Sequence, residues 1–259
     1  NTNSDSEVLL KQFCYELYKT NFRKLTKTHV YKALNNVFQK CSGGYAVVMI
    51  VAGIGLVAFR DPKGIRPLSL GKYKNSYLIA SESSAITAMG YDLESDIKPG
   101  QVVIIDEQGN VDKKRPIKGS TNQPCLFEYV YFSRPDSTID EISVHKSRLR
   151  MGDFLGEKIL RDFKDLDVDV VIPVPDTSRT SAMQVAYKLR VKYREGFMKN
   201  RYIGRTFIMP GQSIRKRSVA QKLNPIEIEF KDKNVLLVDD SIVRGHTSKK
   251  IIQMVFHQN

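Results

Sequence analysis

The residues best suited to chemistry lie in one run, residues 234–248, near the end of the sequence. An apolar β-branched and leucine segment, residues 235–238, predicts a buried parallel strand; Asp239 and Asp240 follow it directly, and a turn of small and hydroxyl residues then opens a helix. In open α/β sheets ligands bind beyond the carboxyl ends of the strands, and the first turn of the next helix offers backbone N–H groups to an anion. The run predicts a sugar-phosphate site, with the 5′-phosphate of a ribose on residues 244–248.

The two carboxylates suit ribose hydroxyls, either directly or through Mg²⁺, which prefers oxygen ligands together with substrate phosphates. Each part has a simpler explanation, since an aspartate after a strand often only caps a helix and a small-residue turn is often only a turn. The ordered combination favours the sugar-phosphate site, because a simple turn needs neither paired acids nor a hydroxyl-rich loop.

A basic segment is the second candidate. Residues 188–222 contain a single acid, Glu195, within a chain of formal net charge +13, against eleven lysines and arginines: Lys188, Arg190, Lys192, Arg194, Lys199, Arg201, Arg205, Arg215, Lys216, Arg217 and Lys222. Such a segment fits a polyanion, either nucleic acid or a phosphorylated small substrate, or is a solvated basic face. The nearby acidic pair favours a compact pyrophosphate pocket over a nucleic-acid groove.

The elements that must position these residues alternate between strands and helices. Helices are predicted at about residues 146–161 and 178–189, and strands at 168–174 and 235–238. This alternation predicts a doubly wound parallel α/β sheet.

The first half of the chain has a different pattern. Ser4 and Glu7 have capping-box spacing, and the predicted first helix has an apolar face of Val8, Leu10, Phe13, Cys14, Leu17 and Tyr18. A second helix is predicted at about residues 29–38, followed by strands at 45–51, 53–59, 77–80 and 101–105, which predict an antiparallel α+β fold. A polar stretch, residues 112–123, follows these strands. We place the domain boundary at its end, which predicts one domain at residues 1–123 and a second at residues 124–259.

Composition limits the class of protein. At 259 residues and 41% hydrophobic content the chain is large enough for real cores, and its apolar stretches are far shorter than the roughly 20 residues that span a bilayer. The start has no signal-peptide pattern, so a soluble, cytoplasmic protein without membrane contact is expected. Three widely spaced cysteines without a C-x-x-C pair predict reduced thiols.

Ordered motifs over nearly the whole chain resemble the glutamine phosphoribosylpyrophosphate (PRPP) amidotransferase family. The run 234–248 resembles the PRPP fingerprint of type I phosphoribosyltransferases, and the further matching segments are residues 3–7, 43–46, 59–68, 80–83, 125–137, 171–178 and 199–208. The resemblance implies the C-terminal part of an N-terminal-nucleophile glutaminase domain, followed by a type I phosphoribosyltransferase domain that is incomplete at its C-terminus. It implies a homo-oligomer as well.

The resemblance also implies roles for single residues. Asp5 matches the acid that accepts hydrogen bonds from the α-amino group of glutamine, and Lys199, Arg205 and Lys222 match cations that neutralise pyrophosphate. Thr177 is implied as a metal or pyrophosphate contact beside Asp239 and Asp240, with Ser178 as the other candidate for that role. The implied PRPP loop comprises Ser241, Ile242, Val243, Arg244, Gly245, His246, Thr247 and Ser248.

The sequence departs from the family pattern in two places. The family's nucleophilic cysteine stands at the start of the mature chain, whereas this sequence starts with Asn1, so we expect a fragment without the glutaminase nucleophile, and we assign no catalytic residue. In the phosphate loop the first threonine of the family is His246 here, which replaces a hydroxyl donor by a bulkier imidazole.

Mg²⁺ is the cofactor that the resemblance implies. Some members carry an iron-sulfur cluster, and Cys125 aligns with one of its ligands; the segments 193–197 and 209–212 are more similar to the cluster-free branch, so no cluster is expected. The expected reaction converts PRPP, glutamine and water to 5-phosphoribosylamine, glutamate and pyrophosphate, the first step of purine biosynthesis. Two alternatives are an RNA-binding regulator with a phosphoribosyltransferase fold and a base-salvage phosphoribosyltransferase; the glutaminase-like half argues against both.

Overall fold

The computed structural model describes residues 4–200, 223–242 and 245–256. The chain divides into two compact units, Asn1–Val144 and His145–Asn259. In the described ranges, every helix is too short or too polar to cross a membrane.

The first unit begins with two helices, α1 (Asp5–Tyr18) and α2 (Lys27–Lys40). Ser4 caps α1, since its hydroxyl accepts a hydrogen bond from the N–H of Ser6 at 3.3 Å. Helix α2 buries an apolar stripe with helical spacing, formed by Val30, Ala33, Leu34 and Val37.

The predicted apolar face of α1 is wrong. Val8, Leu10 and Tyr18 are more than half exposed, and Cys14 is exposed as well. The fully buried residues of α1 are Phe13 and Glu16. Glu16 is tolerated inside because its carboxylate accepts hydrogen bonds from Gln12 (2.8 Å), Asn36 (2.9 Å) and Lys40 (2.5 Å). A buried charge with partners is possible where an unpaired one is not, and hydrophobic periodicity does not detect those partners.

Two antiparallel sheets follow the helices. Strands β1 (Ala46–Val51), β2 (Gly55–Arg60), β6 (Val102–Ile105) and β7 (Val111–Lys114) form one sheet in the order β1-β2-β6-β7. Strands β3 (Ser69–Tyr73), β4 (Ser76–Ala80) and β5 (Asp92–Asp96) form the other in the order β4-β3-β5. The predicted strands at 45–51, 53–59, 77–80 and 101–105 are confirmed. Strands β3, β5 and β7 were missed, and β7 includes the start of the polar stretch predicted as a linker.

Alternation along β2 explains how the layers stack. Val57 and Phe59 pack with α1 and α2 on one face of the four-stranded sheet, whereas Leu56 and Ala58 pack against the three-stranded sheet on the other. Helix α3 (Ser83–Ala88) packs against β3: a Cβ on Gly71 would lie 2.3 Å from Cγ2 of Ile86, so only glycine fits there. The unit ends with a π-helical turn (Glu128–Phe132) and the short hairpin β8 (Thr138–Ile139) and β9 (Ile142–Ser143).

The second unit contains a parallel sheet. Its elements are α4 (Val144–Asp162), β10 (Val170–Pro173), α5 (Arg179–Leu189), β11 (Lys192–Tyr193), β12 (Phe197–Lys199), β13 (Leu223–Pro225), α6 (Glu227–Phe230), β14 (Val235–Val238) and α7 (His246–Phe256). Strand β10 lies between β11 and β14, parallel to both, and β12 pairs antiparallel with β13.

Both faces of the parallel sheet are covered. Val170 and Ile172 pack in a cluster with Phe230 of α6 and Ile251 of α7. Val171, which points the other way, packs with residues of α5 that include Val185. Every side chain of β10 is apolar because both faces of this strand are buried. The predicted doubly wound parallel sheet is confirmed.

Candidate functional site

The candidate site lies at the carboxyl edge of the parallel sheet. Strands β10 and β14 are paired through Pro173 and Val238, and the N–H of Val174 donates to the carbonyl of Val238 at 2.8 Å. The two strands therefore end at the same level. The segments that follow them, the turn that carries Thr177 and the acidic pair that starts at Asp239, lie side by side.

Asp240 joins the two segments. Its Oδ2 accepts a short hydrogen bond from the hydroxyl of Thr177, 63 residues away in the chain. Its Oδ1 accepts a hydrogen bond from the hydroxyl of Ser241 at 2.6 Å. Thr177, Asp240 and Ser241, three of the residues predicted from the sequence, thus form one oxygen-rich group.

Asp239, the other carboxylate of the pair, is half-buried. Its Oδ1 accepts a hydrogen bond from the N–H of Asp240 at 2.9 Å. Burial raises the pKa of Asp239 to about 6; the backbone N–H of Asp240 opposes this rise, and the negative charge of Asp240 adds to it. A cation bound beside this carboxylate would favour its charged form.

The structure distinguishes the two hydroxyl candidates of the turn. Ser178 is buried, and its hydroxyl donates to the carbonyl of Val174, where it ties the turn to the strand. Thr177 is the residue whose hydroxyl meets Asp240. Of the pair, only Thr177 presents its oxygen to the acidic group.

The predicted phosphate loop is described in part. Ile242 is three-quarters exposed, Gly245 has a φ of 68°, which glycine adopts without strain, and α7 begins at His246. The N-terminus of α7 provides unpaired backbone N–H groups of the kind that bind phosphate. Ser248 is partly buried in the first turn of α7. Val243 and Arg244 lie outside the described residues, as do the side chains of His246 and Thr247.

One of the predicted pyrophosphate cations lies at this edge. Lys199, the last residue of β12, places its ammonium 2.5 Å from a carboxylate oxygen of Asp176, the residue before Thr177. Arg205 and Lys222 lie outside the described residues. Asp5, the predicted glutamine contact, is exposed in the first turn of α1 in the other unit.

Four further charged or polar residues at this edge were missed: Asp176, Arg179, Tyr193 and Glu195. Arg179 is the first residue of α5, where the helix dipole disfavours a cation. That unusual position was the available sequence signal, because it indicates an anion nearby.

The donors fit a Mg²⁺ ion that arrives with its substrate. Within the described ranges, no group of three or more His, Cys, Asp and Glu residues is arranged to hold a metal by itself. Asp239, Asp240 and Thr177 offer oxygen atoms only, and Mg²⁺ usually takes one or two carboxylates together with water and substrate phosphates.

Known protein families match both halves of the chain. A phosphoribosyl transferase domain model matches residues 138–257, and a glutamine amidotransferase domain model matches residues 1–88. The chain is 55% identical over 258 residues to an amidophosphoribosyltransferase of Pseudomonas aeruginosa, and 51% identical over 259 residues to that of Escherichia coli. These alignments cover 98% of this chain but only 52% and 51% of the relatives, so the chain spans about half the length of the curated relatives it matches.

A solved structure is similar as well. The glutamine PRPP amidotransferase of Bacillus subtilis, complexed with ADP and GMP, matches 100% of this chain and 53% of its own chain, with 34% sequence identity and a TM-score of 0.82. These relatives match a glutamine amidotransferase portion and, after it, a phosphoribosyltransferase domain with a parallel sheet, in the same order as in this chain. The chain therefore belongs to the amidophosphoribosyltransferase family.

Proposed function

We propose that the chain serves the amidophosphoribosyltransferase reaction, in which PRPP, glutamine and water give 5-phosphoribosylamine, glutamate and pyrophosphate at the start of purine biosynthesis. The observation that carries the proposal is the contact between Thr177 and Asp240, which joins two strand ends into one acidic, hydroxyl-lined group beside the start of α7. Such a group suits a ligand with ribose hydroxyls and phosphates on either side of them.

Each part of PRPP has a proposed partner in this chain. Asp239 and Asp240 bind the ribose side, and the backbone N–H groups at the start of α7, within the loop Ser241 to Ser248, bind the 5′-phosphate. Lys199, Arg205 and Lys222 neutralise the pyrophosphate, where negative charge grows as the bond from C1 breaks. Preorganised cations at that point stabilise the leaving group.

Asp239, Asp240 and Thr177 would hold Mg²⁺. When bound, Mg²⁺ supplies positive charge to the pyrophosphate oxygens and orients them. The oxygen-only donors and the raised pKa of Asp239, which a nearby cation would lower again, both support this assignment.

The remaining parts of the proposal come from family membership. Asp5 accepts hydrogen bonds from the α-amino group of glutamine, a charge-assisted pairing that an exposed carboxylate can make. We propose a cytoplasmic homo-oligomer without an iron-sulfur cluster that acts on small molecules, with no nucleic acid or membrane as partner.

Calorimetric titration of the 259-residue chain with PRPP in the presence of Mg²⁺ tests the proposal. Asp240→Asn should weaken PRPP binding by at least about tenfold, because it removes a charge-assisted contact worth about 1.5–3 kcal/mol. Asp165→Asn is the matched control: it neutralises an exposed carboxylate that precedes β10, away from the carboxyl edge, and should leave the affinity unchanged.

Two outcomes would overturn the proposal. One is equal PRPP affinity in Asp240→Asn and the unsubstituted chain. The other is an unsubstituted chain that binds no PRPP but binds RNA tightly and sequence-selectively at physiological salt, which would favour the regulator.

A further inference from the structure

A continuous chain of polar contacts runs along the carboxyl edge beside the acidic group. The hydroxyl of Tyr193 donates to Glu195 at 2.6 Å, and the other carboxylate oxygen of Glu195 lies 3.1 Å from Nε of Arg179. The guanidinium of Arg179 lies 3.6 Å from Oδ1 of Asp176, whose Oδ2 lies 2.5 Å from the ammonium of Lys199. We call these five side chains the edge network; its four charged members alternate in sign, and Tyr193 ends the chain of contacts.

Strand pairing fixes the backbone of the first and last residues of the edge network, Tyr193 and Lys199. Lys199 pairs with Leu223 in the β12–β13 ladder, and two residues earlier Phe197 is buried against Phe230, with ring centroids 5.1 Å apart. Tyr193 pairs with Val171 in the parallel sheet. The main-chain position of Lys199 is therefore set by the core, and the direction of its long side chain is set by Asp176.

Stability does not account for the edge network. The side chains of Asp176, Arg179, Glu195 and Lys199 are between 39% and 51% exposed, and exposed ion pairs contribute about 0–1 kcal/mol each. Arg179 also stands in the first turn of α5, where the helix dipole opposes a cation. These ion pairs add little to the stability of the fold, and Arg179 stands where the dipole of α5 disfavours its charge. Both observations are expected of residues that bind a ligand.

We propose that Asp176 is a positioning residue: it holds Lys199 and Arg179 as a pair of cations aimed at the pyrophosphate, and Glu195, braced by Tyr193, holds Arg179 in turn. This inference deepens the proposed function and rests on it. It adds Arg179 to the cations of the site and gives Asp176 and Glu195 a role in fixing their geometry.

Two physical arguments support the positioning role. A lysine side chain loses about 2 kcal/mol of rotamer freedom when it is fixed, so a lysine that is already held binds its ligand at a smaller entropic cost. Lys199 has three ammonium donors, and the hydrogen bond to Asp176 uses one of them; Arg179 has five guanidinium donors and contacts Asp176 and Glu195 as ion pairs, so among the described residues both cations keep N–H groups for phosphate oxygens.

The test uses the two halves of PRPP as separate probes of the 259-residue chain, pyrophosphate and ribose 5-phosphate, each titrated in the presence of Mg²⁺. Asp176→Asn should weaken pyrophosphate binding by roughly fivefold, the size of a coupling between contacting residues, and leave ribose 5-phosphate binding unchanged. Asp176→Glu, which keeps the charge, should recover part of the loss. Glu195→Gln should act in the same direction with a smaller effect.

Glu157→Gln is the matched control. It breaks an exposed ion pair of 3.0 Å with Lys188 between α4 and α5 in the same unit, so it measures what the loss of such a pair does by itself. It should leave the binding of both probes unchanged.

A double-mutant cycle between Asp176 and Lys199 is the second measurement. If Asp176 acts through Lys199, then Lys199→Ala should cost less pyrophosphate affinity in the Asp176→Asn background than in the unsubstituted chain. Additive effects, unchanged or tighter pyrophosphate binding in Asp176→Asn, or an equal loss for both probes would overturn the positioning role. These outcomes differ from failure of the proposed function, in which the unsubstituted chain would bind no PRPP.

Discussion

Two aspartate sites, one in each unit, show how a structural carboxylate differs from one that we propose to bind a ligand. Asp61 is fully buried, and its two oxygens accept four backbone hydrogen bonds, from the N–H groups of Tyr45, Lys63, Ile65 and Arg66. Asp239 is half-buried, and among the described residues it accepts one hydrogen bond, from the backbone N–H of Asp240.

The residues next to these two aspartates, Arg60 and Asp240, also differ in how many hydrogen bonds they make. Arg60, next to Asp61, is buried and donates to both oxygens of Asp140 (2.7 and 2.9 Å) and to the carbonyls of Gly64, Arg66 and Ile97. Within the part of the chain that the structure describes, Asp240, next to Asp239, accepts hydrogen bonds from two hydroxyls, those of Thr177 and Ser241. The first site uses its polar groups to fix the loop after β2, whereas the second has fewer hydrogen-bond donors among the described residues, as we expect of carboxylates proposed to bind a ligand.

Asp61→Ala should have the largest effect on folding. It leaves buried N–H groups without acceptors, and several such groups together should lower the free energy of unfolding by about 3–5 kcal/mol. Urea unfolding followed by circular dichroism measures this, with Asp136→Ala as control, an exposed aspartate of the same unit paired with Arg134. A loss below 1 kcal/mol would show that the loop does not depend on Asp61.

Asp140→Asn tests the other half of the structural site. Arg60 has a side chain only 1% exposed and would keep its charge without a counter-ion, so the free energy of unfolding should fall by about 2–4 kcal/mol. The same urea titration checks it, and PRPP affinity in the residual folded protein should be normal. Weakened PRPP binding at full stability would contradict the division between the two kinds of site.

Lys199→Ala should behave in the opposite way to the two structural substitutions. It should weaken PRPP binding by about 1–3 kcal/mol, as expected for a lost charge-assisted hydrogen bond, and change the free energy of unfolding by less than about 0.5 kcal/mol. Calorimetry gives the first value and urea unfolding the second. A change confined to stability would assign Lys199 to the structural class.

Asp239→Asn should increase stability at neutral pH. The pKa of Asp239 is raised from 3.8 in the unfolded chain to about 6 in the folded chain, so the folded state holds a proton between these values. The free energy of unfolding therefore falls as pH rises from about 4 to about 6, and stays lower above that window.

The amide variant should remove this fall and raise the free energy of unfolding at pH 8 by about 1 kcal/mol, a value discounted for partial solvation of the site. It should bind PRPP weakly. Unfolding measured at pH 5 and pH 8 tests it, with Asp165→Asn as control. An identical pH dependence in Asp239→Asn and the unsubstituted chain would show that Asp239 is not the titrating group.

Local sequence determined the parts of this protein that depend on neighbours in the chain. The continuous apolar run of β14, the 3.6-residue spacing of apolar residues in α2 and the alternation of strands and helices are visible in neighbouring residues, and the two acids directly follow β14 in the sequence. Strands β3, β5 and β7 escaped because their solvent-facing polar residues, such as Lys72 and Asp92, dilute the signal, and their pairing partners are distant in sequence.

Only the tertiary structure decided which polar groups meet. The strand register brings Thr177 rather than Ser178 to Asp240 across 63 residues, and α2 supplies partners that allow Glu16 to be buried. Backbone N–H groups from Tyr45 and from the loop after β2 surround Asp61, whereas Asp239 has one donor among the described residues. The physical reason is that desolvation and hydrogen bonding depend on surroundings assembled from the whole chain, so the same residue type becomes a structural anchor in one unit and a candidate ligand site in the other.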